Sequence, residues 1–272
     1  MDQTCGLPKW RARMHPDCGD TRRIHMEAPI MKTRSRVAAA AMISLLACGA
    51  RAANDYSSLL RNKKFAEVER IANARLAQNP LDADALVAKA EAIAAAGPAD
   101  RADEAVRLAQ RCTDAHPQAS TCYLALGNAL GAKAKTAHAV AAMRSAQKVR
   151  DAFARAVELD PRNSDARFAL LDYYMHAPAI VGGGIGKART LAAQTVAVNP
   201  AAAALMRAQL QLAANDFARA EATMLAVQPA DDEMVADRQR DLLTELARRY
   251  HDDKRYADSD RIVLIVRKRF PQ

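Results

Sequence analysis

Six consecutive positions past the middle of the chain, Gly182-Gly183-Gly184-Ile185-Gly186-Lys187, have the composition of a phosphate-binding loop. Such a loop presents several backbone N–H groups and one lysine to an anion, which is why glycine crowds it. The Walker A pattern, however, needs a glycine where Val181 stands and a serine or threonine where Ala188 stands, between a strand and a helix. Here the preceding segment has helical spacing, and no βαβ pattern supports a dinucleotide fingerprint. The expectation is a connection between helices. Pro178 stops the first helix and the glycines permit positive φ, predicting a compact protruding loop from Gly182 to Gly186. His116, His138, His176 and His251 stand apart from one another, with no G-x-S-x-G or H-E-x-x-H motif. An envelope hydrolase built on His176 and the glycine loop would need a nucleophile, a base and an orienting group, and the sequence offers no such set. Asp231-Asp232-Glu233 reads as a helix start, where acidic groups favour the dipole; a calcium loop would need spaced oxygens and a glycine. No catalytic residue, cofactor or metal site is expected.

Charge and cysteine arguments depend on the first fifty residues. Residues 31–52 run from a basic start (Lys32, Arg34, Arg36) through an apolar stretch, Val37 to Cys48, to a small-residue site ahead of Ala53. That is the layout of a secretory signal peptide, with an apolar run too short to span a bilayer. Residues 1–30, upstream of it, show no periodicity and are expected to be a non-structural extension. Leu45-Leu46-Ala47-Cys48 resembles a bacterial lipobox, so a lipid anchor on Cys48 is the alternative to soluble export into the periplasm or beyond. Removing residues 1–52 takes away 9 of the 40 Lys+Arg and 4 of the 31 Asp+Glu, which leaves 31 against 27, a net +4 in place of +9. A charge of that size, interspersed along the chain, does not suggest nucleic acid. Cys112 and Cys122 would then remain as a pair in an oxidising compartment. They sit at the end of one predicted helix and the start of the next, so either a disulfide or two small buried thiols fits; with no third cysteine and no histidine at ligand spacing, zinc does not.

The elements that position these residues are helices. Half the residues are hydrophobic but only 4% aromatic, and the excess is alanine, which favours helix and close helix approach. Helix-ending prolines recur at Pro80, Pro117, Pro161, Pro200, Pro229 and Pro271, separated by 29 to 44 residues. An all-α domain over residues 53–272, made of about six helical hairpins, follows.

Around one joint, Ala156-Val157-Glu158-Leu159-Asp160-Pro161-Arg162-Asn163, and over Tyr123-Leu124-Ala125-Leu126-Gly127-Asn128-Ala129-Leu130, the sequence resembles the tetratricopeptide repeat family. Weaker matches start at Lys64-Phe65, Glu104-Ala105, Lys187-Ala188, Asp216-Phe217 and Arg255-Tyr256, and together they cover about residues 55–271. The stretch from Tyr173 to Ala188 resembles a loop of bacterial exported members. The resemblance implies a right-handed superhelix that binds a protein or peptide partner in a concave groove lined by the first helix of each hairpin. In this phase that groove comprises Val87, Glu91, Leu124, Asn128, Phe168, Asp172, Leu205 and Gln209. Ala90, Gly127 and Ala208 are the expected close-crossing points, with Phe65, Phe153, Phe217 and Tyr256 filling space between hairpins. The 132–148 insertion is expected to lengthen the helices of the third hairpin. The function implied is a non-catalytic scaffold or adaptor of the bacterial cell envelope, with a lipid-anchored assembly factor for an outer-membrane machine as the alternative.

Overall fold

Side chains that cap exposed backbone N–H groups decide where several helices begin. Asp82, Asn163, Asn199 and Asp232 each accept a hydrogen bond from a backbone N–H in the first turn of the helix that follows, at Ala85, Ala166, Ala202, and Met234 with Val235. The computed structural model describes residues 56–271 apart from 98, 136–137 and 229–231. The 1–30 extension, the 31–52 leader with Cys48, and Asp231 lie outside the described residues. A helical run over 56–61 is followed by α1 (Phe65–Gln78), α2 (Ala83–Ala96), α3 (Ala102–Ala115), α4 (Ser120–Lys135), α5 (Ala139–Leu159) and α6 (Ser164–His176). Then come α7 (Ile185–Thr195), α8 (Pro200–Ala213), α9 (Phe217–Ala226), α10 (Glu233–Asp252) and α11 (Tyr256–Arg269). No strand occurs among the described residues.

Among the described residues, consecutive helices pair into six hairpins, and their first helices stack in the order α2, α4, α6, α8, α10. A single hairpin cannot bury its apolar stripe, so stacking supplies the core. Fully buried Leu171, Leu205, Met206, Leu243, Leu246 and Ile262 belong to one cluster that runs from the third hairpin to the sixth. A close helix crossing falls at Gly127, where an added Cβ would lie 2.3 Å from the Phe153 ring. The capping residues also join neighbouring hairpins. Asn163 donates to Ser120 Oγ at 2.9 Å, and Asn199 donates to Ser164 Oγ at 3.1 Å and to Asp232 at 3.2 Å.

Insertions fall within the middle hairpins. The first, fifth and sixth turn tightly through Lys63, Asn215 and Lys254, each with φ near +60°, two residues before the aromatic that opens the second helix. The second hairpin instead inserts a 3-10 turn, Ala99–Arg101, and the third lengthens its second helix, α5, to 21 residues. The fourth carries the glycine loop. Two expectations need correcting. Pro200 opens α8 as its first residue, while α7 has already ended at Thr195; a proline ring suits that position because its missing N–H would be unpaired there anyway. Tyr256 is 55% exposed and rests edge-on against His251, so it fills no space between hairpins.

Candidate functional site

Because α6 touches α10 as well as α8, the row of first helices bends sharply enough to face its own beginning. Arg61, at the end of the first helical run, reaches Glu233 at 2.8 Å and Asp237 at 3.7 Å on α10. Between these ends lies a cleft of about 780 Å³ with walls from the first hairpin, α2, α4, α5, α6 and α10. Glu91, Leu124, Asn128, Phe168 and Asp172 line it, and Val87 lines a smaller pocket that also contains Glu91 and Leu124.

Leu205 does not face the cleft: it is fully buried in the core. Counted from the capping residue, Val87 and Phe168 stand five positions into their helices, whereas Leu205 stands six beyond Asn199. One residue turns a side chain through about 100°, enough to carry leucine from the inner face to the core. Gln209 stays at the inner edge through polar contacts. Its amide donates to Asp172, while Arg238 Nη2 donates to Gln209 Oε1 and to both Asp172 oxygens, all at 2.8 Å. The Arg238 guanidinium also lies 4.8 Å from the centre of the Phe168 ring. Its Nε is buried with no hydrogen-bond partner.

Arg238 and Asp165 are cleft residues that the repeat pattern did not reveal. Asp165 lies in the first turn of α6, where an acidic residue is ordinary. Arg238 lies on the long α10, for which no inner phase was assigned, and at six beyond its cap, Asp232, the five-position count does not find it. Electrostatically the cleft is unusual in its acids. Burial, reinforced by the nearby charge of Asp165 and opposed by a hydrogen bond from Asn128, pushes the Glu91 carboxyl up to about 7. Burial also pushes Asp165 up to about 6, with Asp232 adding to the shift and Arg238 opposing it.

The residues that suggested chemistry have structural partners. Gly182, Gly183 and Gly184 donate their N–H groups to the carbonyls of Ala179, Pro178 and Tyr174, and Lys187 Nζ donates to the Gly182 carbonyl at 2.9 Å. The loop's donors are turned inward, away from any anion. It does not protrude: Val181 to Gly183 are buried, because an added Cβ at Gly183 would strike the Ala177 carbonyl and Gly182 packs on Arg150. Ile180, 75% exposed, stands out before this buried segment, and Ile185 and Gly186 are exposed after it. His116 and His176 contact the backbone carbonyls of Leu81 and Asp172. Among the described residues no three His, Cys, Asp or Glu side chains gather as a metal site, and no helix is long and apolar enough to cross a membrane. Cys112 and Cys122 are bonded across the α3–α4 turn, Cα–Cα 5.4 Å.

No protein-family model and no curated protein matches the sequence. Among solved structures, the chain is similar to TTC0263, a thermophilic tetratricopeptide repeat protein of Thermus thermophilus. The identity is 18% and the TM-score 0.55, over 70% of this chain and 96% of that one. MamA (16% identity, TM-score 0.41) covers 62% of this chain and 89% of its own, and YrrB, a tetratricopeptide protein with an unusual peptide-binding site, covers 74% and 93% at 14% and 0.37. The fold is therefore of the tetratricopeptide type, an all-α helical-repeat superhelix.

Proposed function

We propose that this chain is a non-catalytic protein-interaction scaffold of the bacterial cell envelope, and that its inner cleft holds a segment of a protein partner. The observation that carries the reading is the convergence of side chains from the first hairpin, α2, α4, α5, α6 and α10 on one concave surface. Apolar Leu124 and Phe168 stand there beside polar Asn128, Asp172 and Arg238. Such a mixture suits a peptide with apolar anchors and polar backbone groups. His176 contacts its own helix and supplies no part of a catalytic set. Nucleic acid does not fit the small, interspersed net charge left once the leader is removed.

Envelope location rests on the leader read over residues 31–52. Release of a chain starting at Ala53 makes it a soluble exported scaffold. Acylation of Cys48, the alternative raised by the lipobox resemblance of Leu45 to Cys48, makes it a lipid-anchored assembly factor. Mass spectrometry of the mature N-terminus separates these outcomes, and an uncleaved chain in the cytoplasm overturns both. For the cleft, Phe168→Ala combined with Asp172→Lys is expected to cut partner capture from envelope extract at least tenfold while helicity stays unchanged. Equal capture by wild type and variant would remove this surface from the function.

A further inference from the structure

Several acidic side chains near the inner face are matched by bases. Asp172 is bound to Arg238, Glu104 to Arg101 and Lys89, and Asp237 to Arg61 and Arg240. Glu91 and Asp165 differ. Among the described residues, neither has a basic nitrogen within 4.0 Å, although both line the same cleft and each feels burial. Asn128 gives Glu91 a neutral donor and leaves its charge uncompensated. Arg238, which faces Asp165, already has both Asp172 oxygens at 2.8 Å. A further feature of the same cleft is the Arg238 Nε, which is buried and has no hydrogen-bond acceptor. The void itself is large enough for several residues, and Leu124 and Phe168 give it apolar walls.

We propose that Glu91 and Asp165 form a subsite for one cationic side chain, lysine or arginine, of the segment that enters the cleft, an assignment that rests on the cleft being the binding surface. Two desolvated like charges repel in the empty cleft. A guest ammonium or guanidinium placed between them relieves that repulsion and replaces lost hydration. Leu124 and Phe168 then receive the neighbouring apolar groups, so the recognised segment is a basic residue flanked by hydrophobic ones.

The cation should bind the ionised pair, so affinity should be highest near pH 8 and fall toward pH 5.5 as both carboxyls take protons. The groups facing this pair are Arg61 and Lys63 from the first hairpin, Asp84 on α2, Lys135 on α4, Asp172 on α6, and Asp232, Asp237 and Arg238 at and along α10.

The test uses the full chain and a set of acetylated, amidated leucine–alanine heptapeptides with arginine, lysine, citrulline or glutamate at the centre. Binding is read by fluorescence anisotropy at pH 8 and pH 5.5. At pH 8 the arginine and lysine peptides are expected to bind at least tenfold more tightly than the citrulline peptide. That preference should vanish in Glu91→Gln/Asp165→Asn and shrink at pH 5.5. These near-isosteric changes remove repulsion, so melting above pH 7 at or above the wild-type temperature rules out misfolding. Equal binding of arginine and citrulline peptides, lost on Phe168→Ala, overturns the subsite and keeps the cleft. A charge preference that survives the double variant also overturns the subsite. If no peptide binds, the subsite falls, and the cleft falls with it only when envelope capture is indifferent to the Phe168 and Asp172 changes.

Discussion

Glu91 shows how a single side chain can report on the whole arrangement. Its carboxyl titrates at about 7 in the folded chain, against 4.5 for the ordinary group. Between those values the folded state holds a proton that the unfolded state has lost, so this group's contribution to stability falls as pH rises through the window. Glu91→Gln keeps the amide contact with Asn128 and removes the buried charge. The variant is expected to match wild type near pH 4.5 and to exceed it by roughly 1–3 kcal/mol at pH 8, less where cleft water screens the charge. Urea melts at the two pH values measure this, and a variant less stable than wild type at pH 8 contradicts it. Glu91 was legible in the sequence as an inner-face residue because periodicity reports direction. Its proton affinity was not, because that depends first on burial in the folded cleft and then on Asp165, more than seventy positions away in the chain.

At the scale of elements, two glycines one turn apart on α4 separate packing from propensity. At Gly127 a Cβ would meet the Phe153 ring at 2.3 Å, whereas at Gly131 nothing lies within 4 Å. Gly127→Ala is therefore expected to destabilise by about 1–3 kcal/mol through overpacking, and Gly131→Ala to stabilise by about 0.5–1 kcal/mol through helix propensity alone. Thermal melting of the pair checks it, and equal effects would contradict the close crossing. Gly127 was readable as a crossing point because the repeat pattern demands a small residue there. The elements also show where pattern reading slips. The phase of α8 was offset by one residue, since Asn199, not Pro200, sets its start. The glycine run was correctly placed between two helices but wrongly expected to protrude, since burial of Val181 to Gly183 depends on Arg150 and Ala177 packing against it.

Over the whole molecule the first and last hairpins meet through Arg61, Glu233 and Asp237. Glu233 is largely exposed, and exposed ion pairs contribute only about 0–1 kcal/mol and weaken with salt. Stacking, by contrast, acts between neighbouring hairpins along the array. Arg61→Glu is expected to open the cleft by like-charge repulsion, raising the radius of gyration in small-angle X-ray scattering, while the melting temperature changes by no more than a few degrees. An unchanged radius would show that the ends are held by something other than this contact.

By itself the sequence determined the all-α hairpin architecture, the tetratricopeptide resemblance, the inner direction of Glu91, Asn128, Phe168 and Asp172, and the failure of the glycine run as a nucleotide loop. Each is a local matter of periodicity, capping or motif spacing, which neighbouring residues fix among themselves. Only the tertiary structure brought Arg61 to α10, Arg238 to Asp172 and Phe168, and Glu91 to Asp165. Those meetings depend on the curvature accumulated over five stacked interfaces. A small rotation at each one decides which distant side chains share the cleft, and no single hairpin's sequence contains that sum.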